Sequence, residues 1–291
     1  DARACTIDEI ASRHFDVLLC DVWTPAVAPH VRAARAAGRR VLSVGELVLR
    51  NATCPTVGIT GTAGKSSTSR HLVDILAASG RPALVGSARL GNAWPGADLL
   101  ARELASGGER TVVAELTSSH LAFMDAAPTV AVVTSFWPDH VELHGSLASY
   151  RDAKLRLVRR QRPSDWLVSD AGARSLKPFA TASAARRAWF STGRPVPRGA
   201  YVDEQGRGVL AWDDGRHPIG DASALAADGR HLGNVLAACV AARICGASPA
   251  AIAWPRTTSC SVPRAAGDSS RSAASRSSRF KFVRSSTVSQ Q

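Results

Sequence analysis

The sequence predicts an α/β protein: a mostly parallel sheet flanked by helices, carrying a P-loop and preceded by part of a Rossmann-like unit. Short apolar, β-branched runs alternate along the chain with stretches whose apolar residues recur at helical spacing. One such run, Pro55 to Thr60, passes directly into a glycine-containing loop and then into a helical pattern. With 291 residues, 45% of them hydrophobic, the chain can bury one large core or two smaller ones.

Taken in order, Phe15 to Asp21 is an apolar run, followed by a proline-punctuated turn. Pro29 to Ala37 is an alanine-rich helix closed by Gly38, and Arg40 to Val44 is a second strand. After the strand Pro55 to Thr60, Leu72, Ile75, Leu76 and Ala78 form a helical stripe ended by Gly80, with Pro82 shortly after. Further strands are predicted at Ala83 to Val85, Arg110 to Ala114, Val130 to Thr134 and Trp166 to Ser169. Ser146 caps a helix running to about Gln161. Gly233 to Ala247 is a small-residue helix with Val235, Leu236, Cys239 and Ile244 on its packing side. Between them, Pro195 to Pro218 alternates Gly, Trp and Val in short runs, which predicts an antiparallel excursion at one sheet edge.

The formal net charge of +12 is unevenly spread, because residues 256–291 hold six Arg and one Lys against one Asp. That serine-rich segment has few apolar residues to bury, so it is predicted to be a disordered tail. It also lacks the interleaved aromatics that stack on bases, which argues against a nucleic-acid partner. No run approaches the roughly 18 apolar residues of a membrane helix, and no signal-peptide pattern opens the chain. A cytoplasmic location follows as the expectation. The six cysteines, Cys5, Cys20, Cys54, Cys239, Cys245 and Cys260, form no C-x-x-C pair and are read as structural thiols.

The chemistry starts at Thr60-Gly61-Thr62-Ala63-Gly64-Lys65-Ser66. In a P-loop, backbone N–H groups of a glycine turn and of the next helix's first turn point at phosphates. Lys65 would reach the β- and γ-phosphates, and the Ser66 hydroxyl would ligate Mg²⁺, so ATP with Mg²⁺ is the predicted ligand. Ile59 stands at the first glycine position of the strict pattern. Glu115 ends the strand Thr111-Val112-Val113-Ala114, at the sheet edge where open α/β folds place ligands, and a carboxylate there suits Mg²⁺. Asp139 and His140 follow the next strand, with His144 and Gly145 beyond; spacing leaves a metal, phosphate or structural role open. By composition alone Lys154 is a surface lysine.

Five segments in order resemble the Mur ligases of peptidoglycan synthesis. They are Thr60 to Ser66, Glu115-Leu116-Thr117-Ser118-Ser119, Pro138 to Gly145, Tyr150 to Lys154, and His231-Leu232-Gly233-Asn234-Val235-Leu236-Ala237-Ala238. The resemblance covers roughly residues 15 to 253 and is nearest to the branch that adds D-glutamate to UDP-N-acetylmuramoyl-L-alanine. It implies an ATP-dependent amide ligase of cell-wall biogenesis that phosphorylates a carboxylate and lets an amine attack the acyl phosphate. It further implies that Gly61 through Ser67 hold ATP and that Ser66 and Glu115 hold a first Mg²⁺. His140 and a carbamylated Lys154 would serve a second, with Lys65, His140 and Lys154 catalytic. Asn92 would meet the muramoyl substrate, and Asn234 the adenine.

The chain departs from the family pattern at Ala63 and Ser135, where asparagine is usual, and at Leu232-Gly233, where the family has H-N-x-x-N. By the same resemblance, 1–52 is part of a UDP-binding-like domain and 53–255 the central ATP-binding domain. In 256–291 nothing resembles the family's C-terminal domain, as a frameshift or truncated gene would leave it, and activity is expected to be impaired. A monomer is expected. The alternatives are another Mur ligase, a relative of folylpolyglutamate synthase, or a non-catalytic nucleotide-binding or nucleic-acid-binding module.

Overall fold

The structure, a computed structural model, describes residues 15–20, 24–86, 105, 107, 110–227 and 231–253. Near the start of the chain β1 (Val17–Cys20) and β2 (Arg40–Ser43) pair in parallel, Val17 opposite Arg40. Helix α1 (Pro29–Ala36) joins them, with proline in its first turn, where the missing N–H costs nothing. Helix α2 (Val44–Asn51) begins directly after β2, and the Ser43 hydroxyl caps it by accepting from the Glu46 N–H at 3.3 Å.

Among the described residues the main sheet has nine strands. In chain order they are β3 (Thr56–Thr60), β4 (Ala83–Gly86), β5 (Thr111–Glu115), β6 (Val130–Val133), β7 (Trp166–Asp170), β8 (Arg186–Ser191), β9 (Gly199–Val202), β10 (Arg207–Trp212) and β11 (Gly215–Asp221). Their spatial order is β11-β10-β9-β8-β7-β6-β3-β5-β4. From β9 to β4 every pair is parallel, and β10 runs antiparallel to both of its neighbours. The antiparallel excursion predicted from 195–218 therefore forms one edge of the sheet. Strand β8 sits between β7 and β9, and neither it nor helix α2 is among the elements the sequence predicts.

Residues alternate strictly between two cores, as a sheet covered on both faces requires. Val130 and Val132 of β6 join one core, while Ala131 and Val133 join the other. The first core is covered by α3 (Lys65–Ala78) through Leu72, Ile75 and Leu76, and by α9 (Leu232–Ile244). Helix α9 buries nearly every side chain because it lies against both the sheet and α3. The second core is covered by α6 (Leu147–Arg159) through Leu157 and Val158, and by α7 (Lys177–Ala182) through Phe179. Short helices α4 (Ser118–Leu121), α5 (Val141–His144), α8 (Ala222–Leu225) and α10 (Pro249–Ile252) complete the order.

Glu46 of α2 ties the leading strand pair's unit to the main sheet's flank. Its side chain is fully buried, and Oε2 accepts from the N–H groups of Asp125 and Ala126 at 2.8 and 2.7 Å, while Oε1 accepts from Arg50 Nε at 2.5 Å. A buried carboxylate survives only with such partners. Cys20, Cys54 and Cys239 are buried, and burial pushes the Cys245 thiol up to about 12, in keeping with structural rather than reactive cysteines. Among the described residues no helix is long and apolar enough to cross a membrane. Cys5, Asn92, Cys260 and the predicted tail lie outside the described residues.

Candidate functional site

The loop between β3 and α3 is built by steric necessity. Gly64 is the N-cap of α3 at φ 88°, a left-handed backbone that residues with a Cβ rarely adopt, and it turns the first helical N–H groups outward. A Cβ on Gly61 would come within 2.0 Å of Thr134 Oγ1, so the end of β6 presses against the loop and only glycine fits. A Cβ on Gly64 would fall 2.4 Å from Asn234 Oδ1, which places the Asn234 side chain of α9 over the loop's exit. Asn234 thus reaches the site from a position 170 residues farther along the chain because α9 packs directly on α3.

Neighbouring strand ends hold the loop from the side. Thr134 Oγ1 donates to Ala63 O at 2.5 Å, with Thr60 O, at 3.2 Å, the alternative acceptor for its single proton. Ser135 Oγ donates to Ala63 O at 3.0 Å and accepts from the Ala63 N–H at 3.0 Å. The Thr62 hydroxyl donates to Trp137 O and shares a hydrogen bond with the Tyr150 hydroxyl, each at 3.1 Å. The sequence predicts no role for Thr134 and marks Ser135 only as a departure from the pattern it resembles. The signal that marks them is their place at the carboxyl end of β6, which neighbours β3.

Lys65 folds back on the loop, its Nζ donating to Gly61 O at 3.0 Å and Thr62 O at 3.3 Å. Ser66 Oγ donates to Glu115 Oε1 at 2.9 Å, bringing together the hydroxyl and carboxylate that the sequence marks as candidate Mg²⁺ ligands. Glu115 is buried at the end of β5, the strand beside β3. A hydroxyl and a carboxylate are hard oxygen donors of the kind Mg²⁺ takes, with phosphate oxygens and water filling the remaining positions. Among the described residues no three His, Cys, Asp or Glu side chains converge as a metal cage. Ser67, the next residue of α3, is exposed beside the loop.

Lys154 is not the surface lysine that composition predicts. It is 2% exposed, with Nζ donating to Gly61 O at 3.0 Å and Thr60 Oγ1 at 3.4 Å, and it lies 5.1 Å from the Tyr150 ring centroid. Burial, reinforced by the nearby Lys65 cation and only partly offset by Asp139, pulls its pKa down to about 7. Its position on α6 turns it under the P-loop.

His140 is held at φ 49°, the only non-glycine residue with positive φ among those described. Its Nε2 lies 3.4 Å from Asp139 Oδ2 and its Nδ1 3.6 Å from Glu142 Oε1, with more than half of the side chain exposed. His144 is buried against Tyr150, with ring centroids 5.5 Å apart. Burial first, then the Lys154 and His140 charges, hold its pKa below the usual imidazole value against a small opposing effect of Glu142. His140 and Lys154 are thus electrostatic neighbours of one buried imidazole. Burial also raises the Tyr150 hydroxyl, partly countered by its bond to Thr62.

A β-strand, a glycine loop bound on both sides and a helix N-terminus, with a carboxylate on the adjoining strand, define a P-loop nucleotide-binding α/β domain. The family described as Mur ligase middle domain matches residues 59–242, and the chain belongs to that family. A UDP-N-acetylmuramoylalanine–D-glutamate ligase of Symbiobacterium thermophilum is 33% identical over 239 residues, 81% of this chain and 51% of that protein. The chain spans about half the length of the curated relatives it matches. Among solved structures, a UDP-N-acetylmuramoyl-L-alanyl-D-glutamate–2,6-diaminopimelate ligase matches at TM-score 0.55 and 17% identity, covering 81% of this chain and 58% of the other. A MurF ligase from Thermotoga maritima in complex with ADP matches at TM-score 0.51 and 17% identity, covering 87% and 65%. At such identity these structures speak to the fold alone.

Proposed function

We propose that the chain supplies the ATP-binding centre of a ligase that joins D-glutamate to UDP-N-acetylmuramoyl-L-alanine in the cytoplasm. The observation that carries this is the convergence of Lys65, the Ser66–Glu115 pair and buried Lys154 on one loop. The names of the curated relatives it matches support the choice of amino acid. Domain limits at 1–52 and 53–255 belong to the same proposal, as does a monomeric state.

In this reading the N–H groups of Gly61 to Ser67 bind the phosphates, and Lys65 leaves its carbonyl partners to follow the transferred phosphoryl group. Mg²⁺, when bound, supplies charge neutralisation of the phosphates. Ser66 and Glu115 would hold one ion, and His140 with Lys154 would serve a second. A cationic Lys154 would repel a metal, whereas its carbamate presents oxygen donors. The depressed pKa favours that modification because only the neutral amine adds CO₂. Asn234, whose side chain lies beside Gly64 at the loop exit, would meet the adenine side of the nucleotide. Asn92 is retained as the contact to the muramoyl substrate.

The test is incubation with ATP, Mg²⁺, UDP-N-acetylmuramoyl-L-alanine and a panel of amino acids, on this chain and on a form extended to the length of its relatives. Phosphate release coupled to amide formation with D-glutamate supports the proposal. Coupling to a different amino acid, or to a folate acceptor, would replace it.

A further inference from the structure

Two of the loop's groups that would meet phosphate, the Ala63 N–H and the Lys65 ammonium, are already engaged within the protein. Ser135 is the clearest case, because one hydroxyl grips both polar atoms of Ala63: it accepts the N–H at 3.0 Å and donates to the carbonyl oxygen at 3.0 Å. An N–H makes one strong hydrogen bond, so the Ala63 amide cannot serve a phosphate while it serves Ser135.

We propose that Ser135 is a positioning residue whose hydroxyl stands in for a phosphate oxygen at Ala63, so that nucleotide must displace it and pays for the exchange in affinity. This deepens the nucleotide-binding reading and rests on it. Three features support the exchange. Ala63 lies between Gly61 and Gly64, within the span whose amides form the cradle. Its carbonyl keeps a second donor, Thr134 Oγ1 at 2.5 Å, so release of Ser135 frees the N–H without stranding the oxygen. Ser135 is only half-buried, so the displaced hydroxyl can turn to water.

The proposal has a sign that a merely supporting role would reverse. In Ser135→Ala, ATP and inorganic pyrophosphate should each bind about fivefold more tightly by calorimetry, equivalent to about 1 kcal/mol at 1.4 kcal/mol per decade. The ligand-free variant should melt lower than the parent, since the clasp is gone. Ser135→Thr, which keeps the hydroxyl, should return both quantities toward the parent. Unchanged or weaker binding in Ser135→Ala overturns the proposal and leaves the nucleotide-binding reading standing. If the parent binds ATP no better than Lys65→Ala does, the reading fails and this proposal with it.

Discussion

Nζ of Lys154 donates a hydrogen bond to the carbonyl oxygen of Gly61 at 3.0 Å, from a side chain with almost no exposure. The contact joins α6 on one face of the sheet to the loop that opens α3 on the other, and it has a consequence for stability. An unfolded lysine titrates near 10.5, whereas Lys154 in the fold titrates near 7. Below about pH 7 both states hold the proton, and the folded state bears the full cost of a buried cation. Between about 7 and 10.5 the unfolded state holds more protons, so stability rises with pH across that window. Measured by urea unfolding, Lys154→Met should exceed the parent most at about pH 6. The gap should shrink toward pH 9.5, by up to about 1.4 kcal/mol per pH unit. A pH-independent gap would remove the buried-cation account.

The Ser66–Glu115 pair predicts a metal-dependent defect. Glu115→Gln should weaken ATP binding by about tenfold or more in Mg²⁺, the scale of one lost charged ligand. In EDTA the variant and the parent should bind ATP alike. Equal losses in both conditions would show that Glu115 supports the loop and not the ion.

Glu46 tests the packing of the leading unit on the main sheet's flank. Glu46→Ala leaves the Asp125 and Ala126 N–H groups without their carboxylate, a loss of about 2–4 kcal/mol in unfolding free energy. Because these groups lie away from the P-loop strand ends, ATP affinity of the folded fraction should stay within about twofold of the parent, less than 1 kcal/mol.

Gly64 and Asn234 predict coupling between distant segments. Gly64→Ala combines a positive φ with a Cβ 2.4 Å from Asn234 Oδ1, so it should lose both stability and ATP affinity. Adding Asn234→Ala removes the collision but keeps the backbone strain. The double variant should therefore recover part of the stability lost by Gly64→Ala alone, and strict additivity of the two changes would contradict the contact.

The sheet and the loop were legible in the sequence because their signals are local. Pro55 to Ser66 holds strand, turn glycines, lysine and helix start within one continuous stretch, and β-branched runs marked β5, β6 and β7. Strand β8 was not legible, since Arg186 and Arg187 break its apolar pattern before Ala188 and Phe190 reach the core. Helix α2 was hidden because it follows β2 without an intervening turn. The burial of Lys154 could not be read from composition, for it depends on how α6 lies beneath a loop 93 residues earlier. Glu46 likewise looks like any helix-start acid until the backbone amides 79 and 80 residues later are brought to it.

The central claim is that Gly61 to Ser66 bind ATP with Mg²⁺, and calorimetry of ATP·Mg²⁺ against the parent chain and Lys65→Ala tests it most directly. One saturable site in the parent, weakened by at least about tenfold when the Lys65 charge is removed, is the predicted result. Equal heats and affinities for the two proteins, or no binding to either while both remain folded, would contradict it.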